Sequence, residues 1–275
     1  MQRRLTIVTT IALLLIAAIG TTVWRYASVA PPEAPSVALP VPPFPPRIAS
    51  GETYEKCLSV LADDPDSARA ISDSWTAEGG GDGAAHCQGL ALIATGRPDL
   101  GAERLEQLAS SSLAPDLAKA TVFGQAAQAR LMAKDPTRAR EDATLALKLS
   151  PEDTELFIQR ALASEAMNQW QDAIDDLTQA LTLDAHRSDA LVLRAADWRR
   201  GGRLDLAIAD TERAIVLDPG NAEALLERGI ERQRLGDSTG ARADWQRARG
   251  LDPNSIAADL AEQNLALLDA GPNQR

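Results

Sequence analysis

Small and apolar residues return along residues 120–253 at a constant step of 34. Leu149-Ser150-Pro151, Leu183-Asp184-Ala185, Leu217-Asp218-Pro219 and Leu251-Asp252-Pro253 keep that step without a slip. So do three columns of small residues: Ala139, Ala173, Ala207 and Ala241; Ala146, Ala180, Ala214 and Ala248; Ala127, Ala161, Ala195 and Gly229. Bulky Phe123, Phe157, Leu191 and Leu225 fill a further column. A small residue lets a neighbouring helix approach, and a large one at the next turn fills the groove beside it. Each period therefore predicts two helices of about 14 residues. In the third unit, Ser188 is the expected cap of the first helix, Gly201-Gly202 the inner turn, and Leu217 to Pro219 the end of the second. Asn168 and Gly236 take the inner-turn place in neighbouring units. After Pro253, Asn254 or Ser255 opens a last helix to Asp269, with Ile256, Leu260, Leu265 and Leu268 on one side to cover the final unit.

Residues 51–119 are helical in pattern but irregular. Tyr54 to Ala62, Ser67 to Ala77, Ala84 to Ala94 and Leu100 to Ala109 predict two divergent helix pairs that cap the array, with Gly79-Gly80-Gly81-Asp82-Gly83 as a break. Cys57 and Cys87 are the only cysteines and fall on the first and third of these helices. Alternate helices of stacked hairpins are neighbours, so the two thiols are expected to meet in a disulfide if the body is exported.

The N-terminus has another character. Leu5 to Trp24 is an uncharged run flanked by Arg3, Arg4 and Arg25. A helix of that length spans about 30 Å, the thickness of a bilayer core. The expectation is a transmembrane signal-anchor over 5–24, a cytoplasmic 1–4 and an exported body, as in a bacterial inner-membrane protein facing the periplasm. The competing reading is a cleaved secretory signal, whose best cleavage pattern, Ser28-Val29-Ala30, runs into Pro31-Pro32. Residues 25–50 form a Pro-rich linker, either a semi-rigid spacer or a passive tether.

Charge narrows the partners. The formal net charge is −11, and the first fifty residues carry Arg3, Arg4, Arg25 and Arg47 against Glu33, so the remainder carries −14. Nucleic acid is not an expected partner of such a body, because phosphate binding needs clustered Lys and Arg. Only 4% of the residues are aromatic, which fits packed helices better than a sheet.

The 34-residue period, the small-residue columns and the closing proline resemble the tetratricopeptide repeat. The match covers four units, 120–153, 154–187, 188–221 and 222–253, followed by a C-terminal helix and tail at 254–275. The chain departs from the family at the first-helix aromatic, present only as Trp198 and replaced by Arg130, Ser164 and Arg232. The large second-helix residue is Leu177 or Trp245 in two units but Ala143 and Thr211 in the others. The resemblance implies an all-α, right-handed superhelix of antiparallel helix pairs, an α-solenoid, with a groove lined by the first helices. Mapped onto this chain, the groove positions are Gln125, Gln128, Met132, Ile158, Leu162, Glu165, Val192, Ala196, Arg199, Leu226, Ile230 and Gln233. The Lys, Asn and Arg clamp that some members use for a terminal carboxylate is missing. An apolar or basic segment of a protein partner is the expected occupant.

Arg160, Arg194 and Arg228 recur at 34, as do Asp142, Asp176, Asp210 and Asp244. Their repetition argues for ion pairs that hold helix register rather than for a catalytic site. No nucleophile elbow, phosphate-binding loop or zinc-protease motif occurs, so neither a cofactor nor an enzymatic activity is expected. His86 beside Cys87 lacks a recognised metal spacing. The principal reading is a membrane-anchored interaction scaffold or assembly factor. The alternatives are a self-associating structural protein, or an enzyme built around Asp73, Trp75 and His86 in the divergent region.

Overall fold

In a computed structural model, which describes residues 47–270, the chain is all-helical, with thirteen helices and no strand among those residues. They are α1 Glu52–Leu61, α2 Pro65–Ala77, α3 Gly81–Ala94, α4 Pro98–Ser111, α5 Asp116–Met132, α6 Pro136–Leu149, α7 Thr154–Ala166, α8 Trp170–Leu183, α9 Ser188–Arg200, α10 Leu204–Leu217, α11 Ala222–Arg234, α12 Ser238–Leu251 and α13 Ile256–Ala270. Each helix packs on the next, and the first helix of a pair also touches the first helix of the following pair, as in α1–α3, α5–α7, α9–α11 and α11–α13. The second helices have no comparable mutual contacts. The array is an α-solenoid of antiparallel hairpins whose first helices crowd together on one side.

Short polar residues start many of these helices. Asp64, Asp135, Asp153, Asn221 and Asp237 each accept a backbone N–H of the first turn through the side chain, supplying an acceptor that the helix start lacks. Ser188 does not cap α9. Arg187 stands at that position, tied to Glu155 and Asp189, and the Ser188 hydroxyl instead accepts the Asn221 amide at 3.4 Å. Gly81 and Gly83 lie inside α3, so the glycine break is shorter than its composition implies. The inner turns of the four regular units share one geometry: Lys134, Asn168, Gly202 and Gly236 all have φ between 59° and 85°. Glycine or asparagine suits that left-handed place, and Lys134 occupies it at a small strain.

The small-residue columns do what close approach requires. All the alanines of the three columns are buried. In the last unit the second helix carries Trp245, whose indole N–H donates to the Leu226 carbonyl at 3.1 Å. The facing column position is Gly229, where a Cβ would collide with the indole. Glycine there answers tryptophan opposite. Phe157 joins the first and second stretches of core, and Ile215 the second and third, so the apolar interior is continuous.

The repeated charges lie across the hairpins. Asp176, Asp210 and Asp244 each receive two bonds from Arg160, Arg194 and Arg228, at 2.6 to 2.9 Å. The first unit has Ala126 in place of that arginine. Asp142 consequently lacks the forked partner, and its ion pair among the described residues is with Arg130 Nε, at 3.9 Å.

At the N-terminal end, Cys57 on α1 and Cys87 on α3 are joined by a disulfide, with their Cα atoms 6.3 Å apart. The expected localisation needs correction. Among the described residues no helix is long and apolar enough to cross a membrane. The anticipated span 5–24 and most of the Pro-rich segment lie outside the described residues, and no spanning helix among the described ones supports the expected single-pass, periplasm-facing localisation.

Two outcomes are expected. Gly229→Ala should lower stability by about 1–3 kcal/mol through overpacking against Trp245, read as a shifted denaturant midpoint. Replacing Cys57 and Cys87 together by Ala should cost about 3–4 kcal/mol, the value for a loop of this size, in the same measurement on the oxidised protein.

Candidate functional site: the first-helix face

The residues expected to line the groove separate into two sets. Gln125, Ile158 and Leu226 are buried, and none of them presents a surface to a partner. Ile158 and Leu226 belong to the core, and the Gln125 side-chain oxygen accepts from Nε2 of the buried His86 at 2.7 Å. Gln128, Leu162, Glu165, Val192, Ala196, Arg199 and Ile230 are half-buried, whereas Met132 and Gln233 are exposed. Leu162, Val192, Ala196 and Ile230 sit on consecutive first helices α7, α9 and α11 and form an interrupted apolar strip. At its outer margin, Glu155, Asp189 and Glu223 repeat at 34 and are all exposed.

Beside the strip runs a polar network of which the resemblance flagged only Glu165 and Arg199. Arg200 bonds Glu165 at 2.6 Å and Asp197 at 3.0 Å, and lies 4.9 Å from the Trp170 ring. Arg199 pairs with Glu227. Thr211 donates to Glu231 at 2.7 Å, and Glu231 is fully buried. Burial pushes the Asp197 carboxyl up to about 7, with Glu165 adding to the effect. Burial also pushes Glu231 up to about 8. A signal for these two acids was present in the sequence: they stand at the step occupied by Ala129 and Ala163 in the earlier units.

The constellation weighed for catalysis does not assemble. His86 is buried between Tyr54 and Gln125, at 2.5 and 2.7 Å, so both ring nitrogens are engaged, and burial lowers its pKa to about 4. Asp73 accepts the Gln88 amide at 2.7 Å. Trp75 covers the backbone at Gly80 and Gly83. Cys57 and Cys87 are bonded to each other and offer no thiolate to a metal.

The fold by itself defines a class: a solenoid of 34-residue helical hairpins. No protein-family model matches the chain, and no curated protein matches it. Solved structures do. PilF of Pseudomonas aeruginosa is 16% identical over 78% of this chain and 96% of its own, with a TM-score of 0.61. Cut9, in the APC/C hetero-tetramer Cut9–Hcn1, is 16% identical over 78% of this chain and 42% of its own, with a TM-score of 0.59. MamA is 18% identical over 65% of this chain and 96% of its own, with a TM-score of 0.53. These neighbours are tetratricopeptide-repeat proteins, and the likeness establishes that fold for this chain.

The raised acids give stability a definite pH dependence. Asp142, pushed up to about 7 by burial and Glu106, Asp197 and Glu231 bind more protons folded than unfolded between about pH 4 and 8. Their contribution is complete below the unfolded carboxyl range and is lost as pH rises through 7 to 8. His86 acts oppositely, but only between about pH 4 and 6.5, where the unfolded imidazole charges first. The melting temperature should therefore fall from pH 6.5 to 8.5. Asp142→Asn should flatten that slope and raise stability at pH 8.5 by about 1–2 kcal/mol, since one pKa unit is worth about 1.4 kcal/mol.

Proposed function

We infer that this protein is an interaction scaffold that seats a segment of a protein partner along the first-helix face. The observation that carries the reading is the apolar strip of Leu162, Val192, Ala196 and Ile230, left half-exposed on three consecutive first helices and bordered by the acidic row Glu155, Asp189 and Glu223, of which Arg187 bridges the first two. A buried-only role would have sealed these side chains against the next helix, as it does Ile158 and Leu226. An amphipathic helix or an extended strand with apolar anchors and flanking Lys or Arg matches both features. The apolar anchors would supply affinity and the acidic row orientation and on-rate. Nothing in this arrangement sets a nucleophile beside a base, and the face reads as a binding surface rather than as a catalytic one.

A photo-crosslinking residue placed at Val192 or Ile230 in the full chain should trap a defined partner, whereas one placed at the exposed Val216 on α10 should not. The double change Val192→Glu and Ile230→Glu should weaken capture at least tenfold while the melting temperature moves by only a few degrees. Equal capture from Val216, or capture untouched by the double change, would count against the reading.

A further inference from the structure

A crevice opens between α6, α7 and α8. It has a volume of about 340 Å³ and is bordered by Arg140, Arg160, Ser164, Asp172, Asp175 and Asp176. It shares Arg140 and Thr144 with a wider hollow of about 670 Å³, where Leu145, Met167 and the Lys148 stem form the walls.

The repeat supplies its own control for this place. The first-helix column reads Arg130, Ser164, Trp198 and Arg232, so three units put a large side chain there and the second puts a hydroxymethyl. In the fourth unit Arg232 reaches Asp244 at 2.7 Å, and the same Asp244 oxygen also accepts Arg228 Nε at 2.9 Å. One carboxylate thus takes two guanidinium groups. In the second unit the corresponding Asp176 has, among the described residues, Arg160 alone, and the second guanidinium is missing because residue 164 is serine. The Ser164 hydroxyl is shielded from solvent, with 1% exposure, and has no hydrogen-bond partner among the described residues.

The surroundings also carry two acids where the third and fourth units are uncharged and the first has Arg138 and Glu141. At the steps of Asp172 and Asp175 the third unit has Leu206 and Ala209, and the fourth has Gly240 and Ala243. Packing alone does not call for these acids. Three carboxylates face two arginines: Arg140 serves Asp172 at 3.1 Å and Arg160 serves Asp176, whereas Asp175 has no ion-pair partner among the described residues and accepts the Gln171 amide at 2.8 Å. A pocket with surplus negative charge, a buried hydroxyl and a vacant guanidinium position has a specific complement.

We propose that the crevice between α6, α7 and α8 binds an arginine side chain of a partner polypeptide, whose guanidinium takes beside Asp176 the place that Arg232 takes beside Asp244. Its aliphatic stem would rest against Leu145 and Met167 at the mouth. The site does not depend on the first-helix face being a binding surface.

The test is a titration of the full chain with the capped tripeptide Ala-Arg-Ala, followed by backbone amide shifts. Saturable shifts at Ser164, Asp172 and Asp176 are expected. The citrulline tripeptide, which keeps the shape and loses the charge, should bind at least tenfold more weakly. Ser164→Arg should abolish the shifts by filling the place from within, and should raise the melting temperature. Absent saturation, equal binding of the citrulline peptide, or undiminished binding by S164R would overturn the proposal. If S164R does not fold, the double change Asp172→Asn and Asp175→Asn decides instead: at least a threefold loss is expected, and unchanged affinity overturns the site. Free arginine should bind more weakly than the tripeptide, because its own carboxylate meets the three acids. Tighter binding of the free amino acid would overturn the assignment to a polypeptide side chain.

Discussion

The approach distance of two helices, set by a residue with almost no side chain, governs everything else in this molecule. Ala127, Ala161 and Ala195 admit the second helix of their hairpins, and Gly229 admits one that carries Trp245. Once the hairpins are that close, an arginine on one helix and an aspartate on the other fall within forked hydrogen-bond reach, as in Arg194 and Asp210. Such a pair is poor evidence for net stability, because both groups give up water, but it discriminates against a helix that has slid or turned. Packing sets the separation and the paired charges set the register.

Those two constraints also explain the polar face. First helices that crowd together bring Asp197, Glu227 and Glu231 out of water. Arg199, Arg200 and Thr211 supply partners to some of their oxygens, while Asp197 Oδ2 and Glu231 Oε1 have none among the described residues. Asp197 and Glu231 respond by holding their protons to higher pH, as burial without full compensation demands. The N-terminal pairs solve their packing with different chemistry. There His86 stays neutral between Tyr54 and Gln125, and a covalent bond does the work that an ion pair does further along.

The fold was legible because each helix pair meets the same neighbours in the same way, so one set of contacts is written four times. Columns such as Phe123, Phe157, Leu191 and Leu225 require no knowledge of distant contacts. The face was less legible. Ile158, Val192 and Leu226 share one step, yet only Val192 keeps part of its surface, because exposure depends on the size of the neighbours and these differ between units. Gln125 stands one residue past that step, which Gly124 holds in the first unit, and the irregular α3 brings His86 against it, which no periodicity contains. Ser188 looked like a cap by type, but Arg187 is held one residue earlier by two carboxylates. The crevice at Ser164 was visible only as a missing large residue. Its charged walls came into view once α6 and α8 were placed beside it.

The bond between Cys57 and Cys87 gives the array a mechanical grain. A linear stack held by contacts between nearest neighbours comes apart from its ends. At the C-terminal end α13 rests on the apolar contacts of Ala257, Ala261 and Leu265 and on the exposed pair Arg242–Asp269. At the other end the bond spans thirty residues of chain and withholds roughly 100 Å of contour length from extension. Tension along the array would therefore peel hairpins from α13 inward, while the α1–α3 end stays folded as the site from which the rest can rewind.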